Sequence, residues 1–179
     1  MPMPSTAALL QGKLGAKNAA AFDINGACSG FLYGLSVADS FIKSGMSKKL
    51  LLVGVDVNSR FINWQDRTTC VLFGDGAGAV VMKPTRAKRG ILSTHLHSDG
   101  SLWDLICLPG GGSRHPASSE SIKNKLHFIK MNGSELFKKA VKIMADAALA
   151  ATQPLGLKAD DISLVIPHQA NIRILNAVA

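Results

Sequence analysis

Apolar positions fall into a few patterns along the chain, each of which predicts an element. Ser5 to Leu14 predicts a short helix. Ala20 to Asn25 then reads as a buried strand that ends at Gly26-Ala27-Cys28-Ser29-Gly30. From Ser29 to Lys43, Phe31, Leu32, Leu35, Ala38, Phe41 and Ile42 recur at three and four residues, which predicts a helix stopped by Gly45. Leu50 to Val57 is almost continuously apolar, as a strand covered on both faces of a parallel sheet would be. The first half therefore reads as β-α-β.

Phe73-Gly74-Asp75-Gly76-Ala77-Gly78-Ala79 leads into a strand at Val80 to Met82, and its glycines are expected to permit close backbone packing. The basic, Pro-containing connection Lys83 to Gly90 follows, and a domain boundary is expected there. Ile91 to His97 predicts a strand, and Pro109 to Asn124 a polar, Gly- and Ser-rich mobile surface loop. Leu126 to Met131 is strand-like, and Ser134 to Ala151 carries Leu136, Phe137, Ala140, Val141, Met144, Ala147 and Ala148 at helical spacing, with Gly156 closing the region. A last strand, Ile162 to Ile166, runs into Pro167-His168-Gln169-Ala170-Asn171 and a helix from Ile172 to Val178.

Composition narrows the function classes. The 47% hydrophobic content against 18% charge over 179 residues is the balance of a globular protein that buries a core, not of a disordered chain. No apolar run reaches the roughly 20 residues of a membrane-spanning helix, and Met1-Pro2-Met3-Pro4 lacks the basic flank and apolar region of a secretory leader, so a cytoplasmic location is expected. Cys28, Cys70 and Cys107 show no paired spacing, which fits neither a disulfide framework nor a zinc knuckle and leaves room for a reactive thiol. The net charge of +8 favours an acidic or phosphate-bearing partner. Nucleic acid is not expected, because the basic residues are scattered and aromatics make up only 6%.

Two junctions share one plan: a strand, a tight turn bearing a reactive residue, and a helix, with Cys28 in the first and His168 in the second. A cysteine at a helix N-terminus meets unpaired N–H groups and the positive end of the macrodipole, which favour the thiolate. His168 is suited to move a proton or to stabilise an oxyanion at an acyl carbon held by that sulfur. On spacing alone a small buried Cys and a satisfied structural His are the more common case and account for these residues better than a catalytic pair does. Gly74-Asp75-Gly76-Ala77-Gly78 leads into a strand rather than opening a helix, so it is not a dinucleotide fingerprint. His95, His97 and Asp99 share a strand face but lack a further ligand, and no metal is expected. Cys70 and Cys107 stand among apolar neighbours and read as core.

The segments Asp23-Ile24-Asn25-Gly26-Ala27-Cys28-Ser29-Gly30-Phe31, Phe73 to Ala79, Ser93-Thr94-His95-Leu96-His97-Ser98-Asp99-Gly100 and Pro167-His168-Gln169-Ala170-Asn171-Ile172-Arg173 resemble β-ketoacyl-acyl carrier protein synthase III. The resemblance covers nearly the whole chain. It implies an α/β thiolase-like fold, layered α-β-α-β-α. Residues 1–88 would be the C-terminal part of the first thiolase-like half, with the nucleophilic cysteine, and 89–179 the N-terminal part of the second, with the catalytic histidine. It implies Cys28 as the nucleophile that takes an acyl group from acyl-CoA, its own N–H helping to hold the oxyanion, and His168 as the residue assisting decarboxylation of malonyl-acyl carrier protein. Arg67 matches a position that packs on the CoA adenine and Arg173 one at the mouth of the pantetheine tunnel. Asn171 and Gly133 match tunnel-lining positions, and Lys138, with Arg173, positions that dock the acidic carrier protein.

The same resemblance implies acyl-CoA, acetyl-CoA foremost, as substrate rather than bound cofactor, initiation of fatty acid biosynthesis, and a homodimer when intact. It also implies a chain incomplete at both ends, because the family's first strands with their CoA-binding residues, and its later catalytic asparagine and Gly-rich oxyanion loop, find no match here. The alternatives left open are another thiolase-fold condensing enzyme, of the polyketide, alkylquinolone or 3-hydroxy-3-methylglutaryl-CoA synthase type, and an inactive chain that binds CoA or carrier protein.

Overall fold

The computed structural model describes residues 3–87 and 89–179, so Lys88, within the expected boundary, lies outside the described residues. The chain divides into two compact units, Met1–Gly54 with Ala79–Lys88 and Val55–Gly78 with Arg89–Ala179.

In the first unit, helix α1 spans Thr6–Lys13. Its start is fixed by two side chains: Ser5 Oγ accepts from Ala8 N–H at 3.2 Å, and the Asp23 carboxylate accepts from Thr6 N–H at 2.8 Å and Ala7 N–H at 2.7 Å. Three of the four N–H groups that a helix start leaves without partners are thereby satisfied. Helix α2, Gly30–Lys43, ends just before Gly45, whose φ of +77° an L-residue adopts only with strain. It lies close on strand β1, Leu50–Val57, because glycines face bulk on both elements. A Cβ on Gly34 would stand 2.5 Å from Leu52 Cδ1, and one on Gly54 would stand 3.2 Å from Phe31 Cδ2. Gly34 and Ala38 are the buried residues of α2, and the Phe22 and Phe41 rings meet at 6.2 Å. β1 pairs with β2, Asp75–Met82, in a two-stranded sheet.

In the second unit, β3, Ile106–Cys107, runs antiparallel to β4, Lys130–Met131, with Ile106 opposite Met131 and Cys107 opposite Lys130. Helix α3, Ser119–Lys123, lies within the stretch expected to be a mobile loop and is closed by a reciprocal Ser118–Ser121 cap. Helix α4, Gly133–Thr152, starts at Asn132, whose side chain accepts from Glu135 N–H, and packs against α5, Ile172–Val178. At Gly110 the chain closes on itself: its N–H donates to Leu126 O at 2.8 Å, and an added Cβ would meet Leu126 Cβ at the same distance.

The four helices expected from the sequence form, α1 without a buried face, but several expected strands do not. Residues 20–25, 91–97 and 162–166 carry no ladder pairing among the described residues, and the strand expected from Leu126 shrinks to Lys130–Met131. A strand becomes a strand only by pairing, and these runs find no neighbour. β1 is not covered on both faces either, since Leu51, Val55 and Val57 are exposed. The close packing expected of Gly74, Gly76 and Gly78 is absent as well: nothing lies within 4 Å of a Cβ at any of them, and Gly76 and Gly78 belong to the exposed β2 itself.

The expected large core is correspondingly small. Among the described residues only Ala38, Ile62 and Ile174 are buried hydrophobics, with Thr69 and Ser121 as buried polar residues, and Cys70 and Cys107 are half-buried rather than core. Apolar segments such as Leu164-Val165-Ile166 are exposed, at 74%, 67% and 83%.

The Asp23 cap makes α1 acid-sensitive. Hydrogen bonds from Ala7 and then Thr6 hold this carboxyl below the usual aspartate range. The folded state therefore binds fewer protons than the unfolded one near the ordinary value of about 3.9, so the cap contributes fully above that pH and is lost as pH falls through the depressed value. Acid titration followed by the Thr6 and Ala7 amide resonances is expected to show α1 fraying below about pH 4, and Asp23→Asn is expected to remove that step. An unchanged acid limb in the variant would contradict the assignment.

Candidate active site

Cys28 lies in the first unit, in a single 3-10 turn, Ala27–Ser29, that feeds directly into α2. The turn is closed by Ser29 N–H donating to Gly26 O at 3.0 Å, and Ala27 N–H reaches the Asn25 side chain at 3.3 Å. Ala27 holds φ at +45°, in the left-handed region that non-glycine residues seldom occupy and that costs on the order of 1–2 kcal/mol. Such a bend swings the following residue out of the chain's path, and Cys28 is exposed. Gly26 and Gly30, expected to leave the approach open, do different things. A Cβ on Gly26 would stand 2.8 Å from the Tyr33 ring, so its bareness serves packing, whereas at Gly30 the nearest atom is Ile24 O at 4.0 Å.

The remaining matched positions lie in the second unit. His168 is exposed, in a tight turn where Ala170 N–H donates to His168 O at 3.0 Å and Gln169 Nε2 to Pro167 O at 3.2 Å. Asn171 caps α5, its Oδ1 accepting from Arg173 N–H at 2.8 Å, so this oxygen orders the helix that carries Arg173. Gly133 is the first residue of α4, with Met131 Cε 3.4 Å from where its Cβ would be. On the exposed face of α4, Lys138 pairs with Glu135 at 2.8 Å, and Lys142 pairs with Asp146. Exposed pairs of this kind add little stability and exchange readily for another carboxylate.

Arg67 is exposed and stands in a turn with more internal hydrogen bonding than the sequence suggested. Asp66 Oδ1 accepts from Thr68 N–H at 3.0 Å and Thr68 Oγ1–H at 2.6 Å, and Oδ2 accepts from Thr69 Oγ1–H at 3.1 Å. These bonds, the Thr68 hydroxyl first, hold the Asp66 carboxyl below its usual range. Asp75 acts likewise on the turn after β1, accepting from Ser59 N–H at 2.8 Å and Ser59 Oγ–H at 2.6 Å. Neither carboxylate was singled out from the sequence, although an Asp two residues before a Thr is a turn signature that could have revealed Asp66.

Among the described residues no group of three or more His, Cys, Asp or Glu side chains is placed to hold a metal ion. His95 instead approaches Ser93 Oγ at 3.2 Å, and Asp99 caps the turn at Ser101. Two open clefts, of about 600 and 300 Å³, are lined by Gly15 to Ala19 with Lys49 and by the loop from Arg114 to Leu126; none of the matched residues lines either. No described helix is long and apolar enough to cross a membrane.

The family model of 3-oxoacyl-[acyl-carrier-protein] synthase III matches residues 22–100, which include both Cys28 and Arg67. The β-ketoacyl-[acyl-carrier-protein] synthase III of Roseiflexus sp. (strain RS-1) is 51% identical over 99% of this chain and 54% of its own length. The chain is similar to synthase III along nearly its whole length. The synthase III of Caldanaerobacter subterraneus subsp. tengcongensis is 50% identical with the same coverage. The crystal structure of the Aquifex aeolicus synthase III superposes with a TM-score of 0.86 at 47% identity, over 99% of this chain and 53% of that one. The fold is therefore that of this family's thiolase-like enzymes, and the chain spans about half the length of the curated relatives it matches.

Proposed function

We propose that this chain carries the acyl-transfer centre of a synthase III that joins acetyl-CoA, or another short acyl-CoA, to malonyl-acyl carrier protein and so initiates fatty acid synthesis. The observation that carries the reading is the setting of Cys28, an exposed thiol at the entry to α2 behind a residue held at positive φ. Cys28 Sγ attacks the acetyl thioester carbon as a thiolate, the C–S bond to coenzyme A breaks, and the proton ends on the released CoA thiol. The N–H of Cys28 stabilises the oxyanion in passing. The malonyl thioester then loses carbon dioxide, and the enolate forms a carbon–carbon bond to the acyl carbon as Cys28 leaves. His168 supports that second step by holding charge on the enolate oxygen.

Arg67 and Arg173 serve the nucleotide and pantetheine of the acyl donor, with Gly133 and Asn171 along the pantetheine path. Lys138 and Arg173 meet the acidic carrier protein, to which the net charge of +8 contributes long-range attraction. Acyl-CoA acts as substrate, with no permanently bound cofactor, and the setting is a cytoplasmic homodimer. The reading is tested by incubating the protein with acetyl-CoA and malonyl-acyl carrier protein. Acetoacetyl-carrier protein and one equivalent of carbon dioxide per product are expected, with a rate that falls as salt screens the carrier-protein contact. Carbon dioxide release without a carbon–carbon bond, or no turnover from a folded sample, would overturn it.

A further inference from the structure

We propose that Asp66 is a positioning residue for acyl-donor recognition, fixing the turn that presents Arg67 to the nucleotide end of the acyl-CoA. The inference rests on the acyl-CoA reading above and adds a residue to it. An arginine on an exposed turn pays the full entropy of ordering when a ligand arrives, unless the backbone beneath it is already fixed. Here the backbone on both sides of Arg67 is tied to the residue before it. Both oxygens of Asp66 are engaged with Thr68 and Thr69, while its carbonyl accepts from Thr69 N–H at 3.2 Å and Cys70 N–H at 3.0 Å. Its own N–H donates to Asn63 O at 2.9 Å, and Gln65 N–H donates to Asn63 Oδ1 at 3.1 Å, so the preceding turn is pinned as well.

The ends of this double turn are sunk into the unit. Ile62 and Thr69 are each only 2% exposed, and Ile129 N–H donates to Phe61 O at 2.8 Å. Between these anchors the Arg67 side chain is exposed, and no hydrogen bond or ion pair occupies it among the described residues. The carboxylate one residue away does not pair with Arg67, because its oxygens are taken by the two threonines. The guanidinium is thus left available to a ligand on a backbone that does not need to be ordered by it.

The test compares two acyl donors in the full chain: acetyl-CoA, and S-acetyl-N-acetylcysteamine, which keeps the thioester and lacks the nucleotide. The readout is the ratio of their rates of acetyl transfer to Cys28. Asp66→Ala is expected to lower the acetyl-CoA rate about tenfold relative to the short donor, the scale of a lost charge-assisted hydrogen bond. Arg67→Ala should lower the ratio similarly, the double variant no further, and Asp66→Asn, which keeps an acceptor for Thr68, should restore most of it. An equal fall with both donors in Asp66→Ala would make Asp66 merely structural and overturn the proposal. A ratio that falls in Arg67→Ala but not in Asp66→Ala would overturn the positioning role and leave the acyl-CoA reading standing. Wild-type protein that takes acetyl from neither donor would overturn both.

Discussion

Replacing His168 with alanine is expected to leave acetyl transfer to Cys28 within a few-fold of wild type and to slow the condensation step by about 10²–10⁴-fold, the range of a positioned proton-transfer or charge-stabilising side chain. The split follows from the two-step scheme. Acylation draws on a thiolate and the turn at Ala27–Ser29, both within the first unit, whereas His168 stands in the second, on the turn that leads into α5. Its exposure and the hydrogen bonds closing that turn mean the imidazole can be removed without opening a cavity, so the variant should fold as the parent does. Single-turnover kinetics separate the steps: acyl-enzyme should accumulate in His168→Ala when malonyl-carrier protein is added. Loss of acylation in the same variant would place His168 in the first step and contradict the assignment.

The second large effect is at the nucleophile itself. Cys28→Ala should abolish acyl transfer, since no other thiol is placed to replace it: Cys70 and Cys107 are half-buried and lie in the second unit. The substitution removes one exposed atom from a turn held by backbone hydrogen bonds, so the Ala27 bend and α2 should persist. Cys28→Ser keeps a nucleophilic atom but not its acidity, and at neutral pH the alcohol should acylate far more slowly than the thiolate.

The helices could be read in the sequence because a helix satisfies its own backbone and needs only an apolar stripe and a cap. Ser5, Asn132 and Asn171 all proved to be caps. Strands depend on neighbours, so the apolar runs at 20–25, 91–97 and 162–166 show what each segment can bury without showing what it pairs with. Gly74, Gly76 and Gly78 failed for the same reason, since packing against a glycine is a property of the second element. At the candidate site, Cys28 and His168 stand out in the sequence through the words around them, whereas the strands expected before each do not form among the described residues. The anchors do not stand out. Asp23 and Asp75 are exposed and Asp66 is half-buried, and hydropathy does not distinguish them from solvated charges, yet each accepts from backbone N–H at a helix start or in a turn.

The central claim is that the Cys28 setting activates its sulfur for acyl transfer, and intact-protein and peptide mass spectrometry after incubation with acetyl-CoA tests it most directly. One added acetyl group on the peptide containing Cys28, absent in Cys28→Ala, is the predicted result. No adduct on a folded sample, or an adduct carried by Cys70 or Cys107, would contradict it.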